Sequence, residues 1–567
     1  MNTFNVYNLL LVTDQELASV PVPLGFDSWL TFWLVAVIAL ANAVLMTFVS
    51  YRFFQSLQLS GYRLPGYFAW LKENKFSDWG RLLILSFLSC AALIITNVLL
   101  EDFLVFKILT YIGLVFYAIF TIVYIVNVFS VSKKTPLKYT ARMKRMIVVF
   151  GILVFLSTYF LMKLSLTNIP YFSHGIIGVT PLFVPIFVIL SYLIMWPFET
   201  IHNKSFVKKA KTKLDSYDKL IKIGITGSYA KTSVKNILFS MLSKKYKVVA
   251  SPHSYNTPLG LSKTILEDLK PNTEIFIAEM GARYVGDINE LAEMIKPSYG
   301  IITATSNQHL ATFGSLENVR KTKFELANFV WCNGGKMFFS SDSNIDIIKP
   351  DDESIQCDYL LSGINNGELS TVGDIITTST GSKFTLKYGK KQIECKTSLL
   401  GKHNVSNILL CASVAIEFGL TLEEIADTIF KLVPTAHRLA IVPSSSSLIV
   451  IDDAYNGSVE GAKAALEVIS SFDGKKFVIT PGLVELGVEQ FNSNFEFGIN
   501  MAGVIDYCII TGTTNYEALA NGLEFGGFDK SHILRAGSVS QAVELANTLS
   551  APGDVYLFEN DLPDNYA

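Results

Sequence analysis

The stretch GITGSYAKTS, residues 224–233, decides how this chain is read. The apolar residues before it describe a buried strand, Gly224 and Gly227 allow a tight turn, and KTSVKNILFSML (231–242) has the pattern of a helix. Strand, turn and helix in this order are what a phosphate-binding loop needs, because backbone N–H groups and the positive end of a helix then face one anion. In that reading Gly227, Ser228 and Ala230 form the cradle. Lys231 reaches the terminal phosphates, and Thr232 or Ser233 holds magnesium. The spacing departs from G-x4-G-K-[ST], since Ile225 stands at the first glycine position and Ala230 at the second. Glycine is required only where φ is positive or where a ligand comes too close for a Cβ. A working loop therefore keeps Ala230 at negative φ, or its phosphates tolerate the methyl group.

About two hundred mostly apolar residues precede this loop. The chain has 567 residues, 50% of them hydrophobic, and the long apolar runs all lie before Phe198. A bilayer-spanning helix needs about 20 such residues. Five stretches qualify, at 29–50, 82–100, 104–129, 146–166 and 179–197. The first is too long for a signal peptide, and no basic segment leads into it. Residues 1–28 hold no Lys or Arg, and neither Glu101–Asp102 nor the loop around 167–178 is basic. The alternate connections carry Arg52, Arg63, Lys72, Lys75 and Arg81, then Lys133, Lys134, Lys138, Arg142, Lys144 and Arg145, then Lys204, Lys208, Lys209, Lys211 and Lys213. This alternation puts the N-terminus outside a plasma membrane and everything after Phe198 in the cytoplasm, where ATP is. Lys107 and Lys163 lie near outer ends of spans, where a lysine snorkels to the headgroups. Pro181 and Pro185 are tolerable in a spanning helix, and a break there is the feature that lines a cavity.

A net charge of −2 gives no electrostatic reason to expect nucleic acid as a partner. The six cysteines are scattered and form no CxxC pair, which is the pattern of reduced cytosolic thiols.

Downstream of the loop come SYNTPLG (254–260), IFIAEMGARYVGDI (275–288), NQHLATFGSLENVRKTKFELA (307–327), GKHNVSN (401–407), AHRL (436–439) and IDDAYNGSVEGAKAAL (451–466). In that order they resemble the Mur ligase family, across residues 215–567. The first two hundred residues share nothing with the UDP-binding first domain of the soluble Mur ligases. The resemblance implies a P-loop central α/β domain and a Rossmann-like C-terminal α/β domain behind an α-helical membrane domain. The boundaries expected are 1–200 for the membrane domain, 201–217 for a basic linker, 218–400 for the central domain and 401–567 for the C-terminal domain. After Leu466, strands such as KFVITPG and DVYLFEN alternate with helical stretches, as in a parallel sheet. Before Gly401, KFTLKYGKKQIECKTSLLG alternates like a hairpin that closes the central domain.

The residues themselves set out the chemistry, and the resemblance implies the roles. Glu279 ends an apolar strand beside the loop, where a carboxylate suits magnesium. The resemblance makes His309 a ligand of a second magnesium and Lys323 a lysine carbamylated by CO2, a reaction that needs the neutral amine. Ala311 departs from the family, which often has an acid at this point. By the same resemblance His403 and Asn404 contact the adenine, Arg438 the nucleotide phosphates, and Asp453, Tyr455 and Asn456 the ribose and the incoming amine, with Asp452 the weaker candidate of the two acids. Closure of the C-terminal domain would bring this second set onto the first. The expected reaction is ADP-forming amide ligation with ATP and two magnesium ions. Its partners would be a membrane-linked cell-wall or capsule precursor and an amino acid or short peptide. Two alternatives stand beside it: a membrane-bound polymerising ligase similar to poly-γ-glutamate synthases, and an ATP-gated transporter or scaffold.

Overall fold

The computed structural model describes residues 29–74, 80–88, 103–130, 136–168, 175–252, 254–306, 310–343, 345–378, 380–442, 447–455, 457–484 and 486–560. The chain divides into two compact units, Met1–His202 and Asn203–Ala567.

The first unit is helical. Trp29–Val49, Phe103–Ser130, Ala141–Asn168 and the start of Gly175–Asp215 are its long helices, joined by the shorter Tyr51–Leu59 and Leu64–Glu73. Three apolar segments among the described residues are long enough to cross a bilayer: Phe32–Val49, Ala141–Leu164 and Ile177–Asp215. They coincide with the first, fourth and fifth expected spans. The third lies within Phe103–Ser130, whose described apolar part is Val115–Phe129. The second falls largely outside the described residues. Met46, Phe53, Phe54, Leu57, Tyr67 and Phe150 form the inside of the unit. Asn42 ties three helices to its own: its amide donates to Thr158 Oγ1 at 3.0 Å and Thr180 Oγ1 at 3.4 Å, and its Oδ1 accepts from Tyr117 OH at 2.6 Å. Each polar group there has a partner, which a buried apolar setting demands. Pro181, Pro185 and Pro197 all sit inside Gly175–Asp215. That helix runs through them unbroken, so the break considered above is absent. It also continues to Asp215, so the expected basic linker 201–217 is mostly helix. Lys204, Lys208 and Lys209 are the solvated side of that helix, whereas Lys213 donates to Leu266 C=O at 3.0 Å and Leu269 C=O at 2.8 Å.

The second unit holds two sheets. The first has nine strands in the order β2-β3-β1-β4-β5-β6-β7-β8-β9. β1 (Ile221–Thr226) lies between β3 (Ile275–Glu279) and β4 (Tyr299–Ile302), parallel to both. β2 (Val248–Ala250), β5 (Lys336–Ser340) and β6 (Asp358–Ser362) extend the parallel part. The expected hairpin is present as β8 (Gly381–Tyr388) and β9 (Lys391–Thr397), antiparallel and joined to β7 (Leu369–Thr378). β3 reads IFIAE and is buried throughout, as a strand covered on both faces must be. The second sheet has six strands in the order β10-β11-β15-β12-β13-β14, where β13 is Tyr507–Thr511 and β14 is Ile533–Ala536. In it β11 (Ile449–Asp453) and β12 (Lys476–Thr480) flank β15 (Val555–Glu559), both parallel to it.

The boundary expected at 400/401 is corrected by packing. The helices Lys402–Glu417 and Leu422–Lys431 follow the hairpin, yet Val405, Ile408, Leu409, Cys411, Ile425 and Ile429 share one core with Ile223, Ile225 and Leu238 beneath the first sheet. Burying each such side chain contributes about 1.5–3 kcal/mol. Six of them cannot be released to the other domain. The first domain therefore runs to about residue 432, and the second sheet begins with β10 (Ala440–Val442).

Candidate active site

The loop after β1 is built from both sides. Gly227 has φ of 152°, and a Cβ there would overlap the Thr303 hydroxyl beyond β4. Ser228 N–H donates to Ala304 C=O at 2.8 Å, Ser306 N–H donates to Ser228 Oγ at 3.0 Å, and the Thr303 hydroxyl donates to Tyr229 C=O. The chain then enters the helix Lys231–Leu242 through Ala230, which stands at φ 62°, ψ −2°. The negative φ allowed for above is thus not adopted. Ala230 takes the left-handed turn with its methyl group in place.

Lys231 folds back over this loop, its ammonium donating to Gly227 C=O at 2.6 Å and Ser228 C=O at 2.9 Å. Burial pushes its pKa down to about 8, with Glu279 acting the other way and Arg438 adding to the depression. Glu279, at the end of β3, is buried and fully engaged. Its Oε2 accepts from Thr232 Oγ1 at 3.1 Å and pairs with Lys235 Nζ at 3.0 Å, and its Oε1 accepts from Asn256 Nδ2 at 3.3 Å. Thr232 is the hydroxyl of the pair that reaches the carboxylate; Ser233 follows on the same first turn. Lys235 and Asn256 had no role assigned from the sequence. The signal for Lys235 was its spacing, one helical turn beyond Lys231 and so on the same face.

Lys323 lies on the helix Leu316–Cys332 and is 3% exposed. Its ammonium stands 5.8 Å from the centre of the Phe313 ring. Burial first, then the charge of Lys231, pushes its pKa down to about 7. His309 lies outside the described residues, as does Asn456. His403, in the first turn of Lys402–Glu417, is pushed down to about 4 by burial and is neutral at pH 7. Asn404 is buried and donates to Leu400 C=O at 2.8 Å, which fixes that turn.

The second sheet brings the rest. His437 and Leu439 both have positive φ, 59° and 47°, and Arg438 projects from between them over the Tyr455 ring at 4.4 Å. Two such residues in a row of three are strained unless their surroundings hold them. Here His437 Nδ1 meets Asp452 Oδ2 at 2.6 Å, and Leu439 N–H donates to Asp453 Oδ1 at 3.0 Å. Asp452 thus braces the loop while Asp453 faces Arg438. Tyr455 OH and Ser254 Oγ are 2.8 Å apart, and Asn236 Nδ2 donates to Thr435 Oγ1 at 3.1 Å, so the two domains already meet. Arg438 acts electrostatically on Lys231 and feels Glu279. The second set faces the first without further closure.

Among the described residues no three His, Cys, Asp or Glu side chains converge on one point. The oxygens of Thr232 and Glu279 are nevertheless the donor set that magnesium takes when phosphate and water complete its shell.

Comparisons with known proteins bear on the same part of the chain. Residues 225–415 match the family described as Mur ligase middle domain. The UDP-N-acetylmuramoyl-tripeptide–D-alanyl-D-alanine ligase of Bacillus subtilis is 27% identical over 342 residues, 59% of this chain and 72% of that protein. Its counterpart in Mycobacterium tuberculosis H37Rv is 32% identical over 249 residues, 44% of this chain; the chain spans about half of that relative, 48%. Among solved structures, MurF from Thermotoga maritima in complex with ADP aligns with a TM-score of 0.55 at 24% identity, over 63% of this chain and 80% of that one. MurF from Acinetobacter baumannii aligns with the same score at 20% identity, over 63% and 77%. Strand order and the ordered motifs agree with one finding: residues 225–415 match the Mur ligase middle domain, and the rest of the second unit is similar to Mur ligases.

Proposed function

We propose that the chain is an ATP-dependent, ADP-forming ligase that joins a carboxylate to the amine of an amino acid or short peptide, on an envelope precursor held at the membrane. The observation that carries this reading is the proximity of Lys231, the Thr232–Glu279 pair, Lys323 and Arg438, each close enough to bond to another of them or to act on its charge. Three cationic side chains around the buried Glu279 carboxylate, Lys231, Lys235 and Arg438, fit a site for a polyanion. The relatives named above are ligases for a muramoyl-tripeptide and D-alanyl-D-alanine, which gives the class of carboxylate and amine.

In the reaction a substrate carboxylate oxygen attacks the γ-phosphorus of ATP, the bond to the β-phosphate bridge breaks and ADP leaves. The amine then attacks the acyl carbon, the bond to phosphate breaks, and the amine gives up a proton. Positioning and charge neutralisation are the protein's share. Lys231 exchanges its two loop carbonyls for phosphate oxygens. Arg438, braced between His437 and Leu439, meets the same phosphates from the other domain. Thr232 and Glu279 would hold magnesium, which offsets charge on the phosphoryl oxygens. The near-neutral amine of Lys323 is the form that adds CO2, becoming an anionic carbamate and releasing a proton.

The membrane placement rests on surface chemistry. Trp33, Val37, Leu40, Val44 and Phe48 form one exposed stripe along their helix, and Val148, Ile152, Leu156 and Phe160 another. Helices apolar on both their packed and open sides belong in lipid. A ligase tethered there meets lipid-linked substrates in two dimensions, with its N-terminus outside and its ligase domains in the cytoplasm. The test is phosphate release by purified full-length protein with ATP, magnesium and candidate amines, with and without extracted lipid precursors. Release that needs both an amine and the lipid fraction is expected. Release indifferent to every amine and every extract would overturn the ligase reading in favour of ATP-driven gating, and chain growth on isolated product would mark a polymerase.

A further inference from the structure

At the rim of the second sheet a buried carboxyl group, that of Glu559, meets a half-buried one, that of Asp453. Asp453 ends β11 and Glu559 ends β15, and the two are register partners across these parallel strands. Glu559 is fully buried, and among the described residues no N–H or O–H donor reaches either of its carboxyl oxygens. The group it meets is the Asp453 side chain. Asp453 is differently served: its Oδ1 accepts the Leu439 N–H, and Arg438 stands close enough to stabilise its charge. Asn560, the next residue, clamps the rim. Its N–H donates to Asp453 C=O at 3.2 Å, its Oδ1 accepts from Gly457 N–H at 3.1 Å and its Nδ2 donates to Gly482 C=O at 2.6 Å. The two carboxyls are therefore held together by backbone that cannot spread.

Two carboxylates in such contact cannot both be ionised, and one proton between them removes the conflict. The donors decide which keeps it. Asp453 has a cation and an N–H; Glu559 has neither. We infer that Glu559 is held as the neutral acid and donates its O–H to Asp453, so that Asp453 stands as the one anion opposite Arg438. Glu559 is then a positioning residue: it acts on the nucleotide through Asp453 and Arg438 and touches no substrate. This inference rests on the nucleotide-site reading above and adds to it a residue that lies 106 positions away from Asp453 in sequence.

The surroundings agree. Burial raises the pKa of both groups, Glu559 well up and Asp453 less far, because Arg438 and the Leu439 N–H act the other way on Asp453. Asp452, on β11, adds to the rise of Asp453 but is itself paired with His437. On its other side β15 meets β12, whose residues at this level are Ile479 and Thr480. The helix Val459–Ser470 packs on β15 and carries Glu460, Lys463 and Glu467. Glu467 acts on His403 and Glu460 on Tyr229, and Lys463 is exposed. Among the described residues Asp453 is the charged group that acts on Glu559.

The test is binding of a fluorescent ADP analogue to the full-length protein across pH, with infrared spectra of the same samples. Glu559→Ala, which removes the donor, should weaken binding by about tenfold, the range of a lost charge-assisted hydrogen bond. Glu559→Gln, whose amide also donates to Asp453, should recover affinity to within about threefold of the parent. Raising the pH should weaken binding by the parent more steeply than by Glu559→Gln, as Glu559 ionises beside Asp453, while loss of the Lys231 proton near pH 8 weakens both alike. A purely structural side chain would show no such difference in pH profile. The infrared spectrum of the parent at neutral pH should contain a protonated-carboxyl stretch that Glu559→Gln lacks and Asp453→Asn shifts. Glu559→Gln binding as weakly as Glu559→Ala, or a parent spectrum without that band, overturns the inference. If the parent binds no nucleotide at all, the ligase reading fails, and the infrared band still decides the state of Glu559, even where a variant does not fold.

Discussion

Lys235 offers the sharpest test of how the site is built. Its ammonium and the Glu279 carboxylate form a pair in which both side chains are 2% exposed. Removing one partner of such a pair costs about 3–5 kcal/mol, because the other charge is left buried and under-compensated, whereas replacing both with neutral groups is far cheaper. Lys235→Met keeps the length and apolar stem of the side chain and deletes the charge. For a unit of about 365 residues, with an unfolding entropy of about 2.1 cal/mol/K per residue, the loss corresponds to a fall in Tm of about 4–6.5 °C. Lys235→Met with Glu279→Gln should recover most of that fall. The single variant carries a further signature. Its Glu279 keeps the Thr232 and Asn256 hydrogen bonds but lacks its cation, so millimolar magnesium should raise the Tm of Lys235→Met and leave the parent unmoved, by mass action on the folded state. The assay is tryptophan fluorescence on heating the detergent-solubilised full chain, with and without magnesium. A Lys235→Met protein that melts within about 1 °C of the parent, or a double variant that melts no higher than the single one, would refute the reasoning.

Ala230→Gly should leave ATP turnover within a few-fold of the parent and change stability by less than about 1 kcal/mol, since relief of the left-handed turn is offset by the lost methyl contact and the greater freedom of glycine when unfolded. Gly227→Ala, which drives a Cβ into Thr303, should abolish nucleotide binding measured with the same analogue. Lys323→Arg should lose turnover, and the parent's turnover should rise across about pH 6–8 as the Lys323 amine loses its proton. Because the depressed lysine binds fewer protons folded than unfolded, its cost is full below about pH 7 and fades as pH rises; Lys323→Met should therefore out-melt the parent at about pH 6 and lose that advantage at higher pH. On intact cells, a membrane-impermeant thiol reagent should label an engineered cysteine at Asp14 and spare one at Lys138; labelling at Lys138 would reverse the orientation proposed.

The parts of the fold that could be read in advance are those with local causes. IFIAE, KIGIT and the helix after Lys231 show their periodicity within a few residues, and β3, β1 and that helix lie where the pattern puts them. The hairpin was legible for the same reason. Its meaning was not, because nothing local tells Leu409 or Ile429 to pack beneath the first sheet and not the second. The basic run after His202 misled in a similar way. Lysines mark solvent exposure equally in a linker and on a helix, and only the backbone of Gly175–Asp215 separates the two.

The site divides along the same line, and the loop at its centre shows why. Gly227, Lys231, Thr232 and Glu279 announce themselves because each sits at a strand end or helix start. Ala230 was read by its own side chain, as a residue that keeps to negative φ unless the phosphates tolerate its methyl group. The cost of the left-handed conformation is about 1–2 kcal/mol for an L-residue, and that figure was sound. What the residue could not reveal is that four bonds made by others hold it there: Ser228 to Ala304, Ser306 to Ser228, Thr303 to Tyr229, and Val234 to its own carbonyl. Several such bonds, each contributing about 0.5–1.5 kcal/mol, outweigh one strained alanine. Lys235, Asn256, His437 and Glu559 were missed for the same reason seen from the other side. Each is defined by its partner, namely Glu279, Asp452 or Asp453, and not by its own neighbours in the chain. A chemical group that must itself touch a phosphate is constrained in type and spacing, and so leaves a pattern. A group that holds another in place is constrained only by where the fold brings it, and the pairing of β11 with β15 is not written in either strand alone.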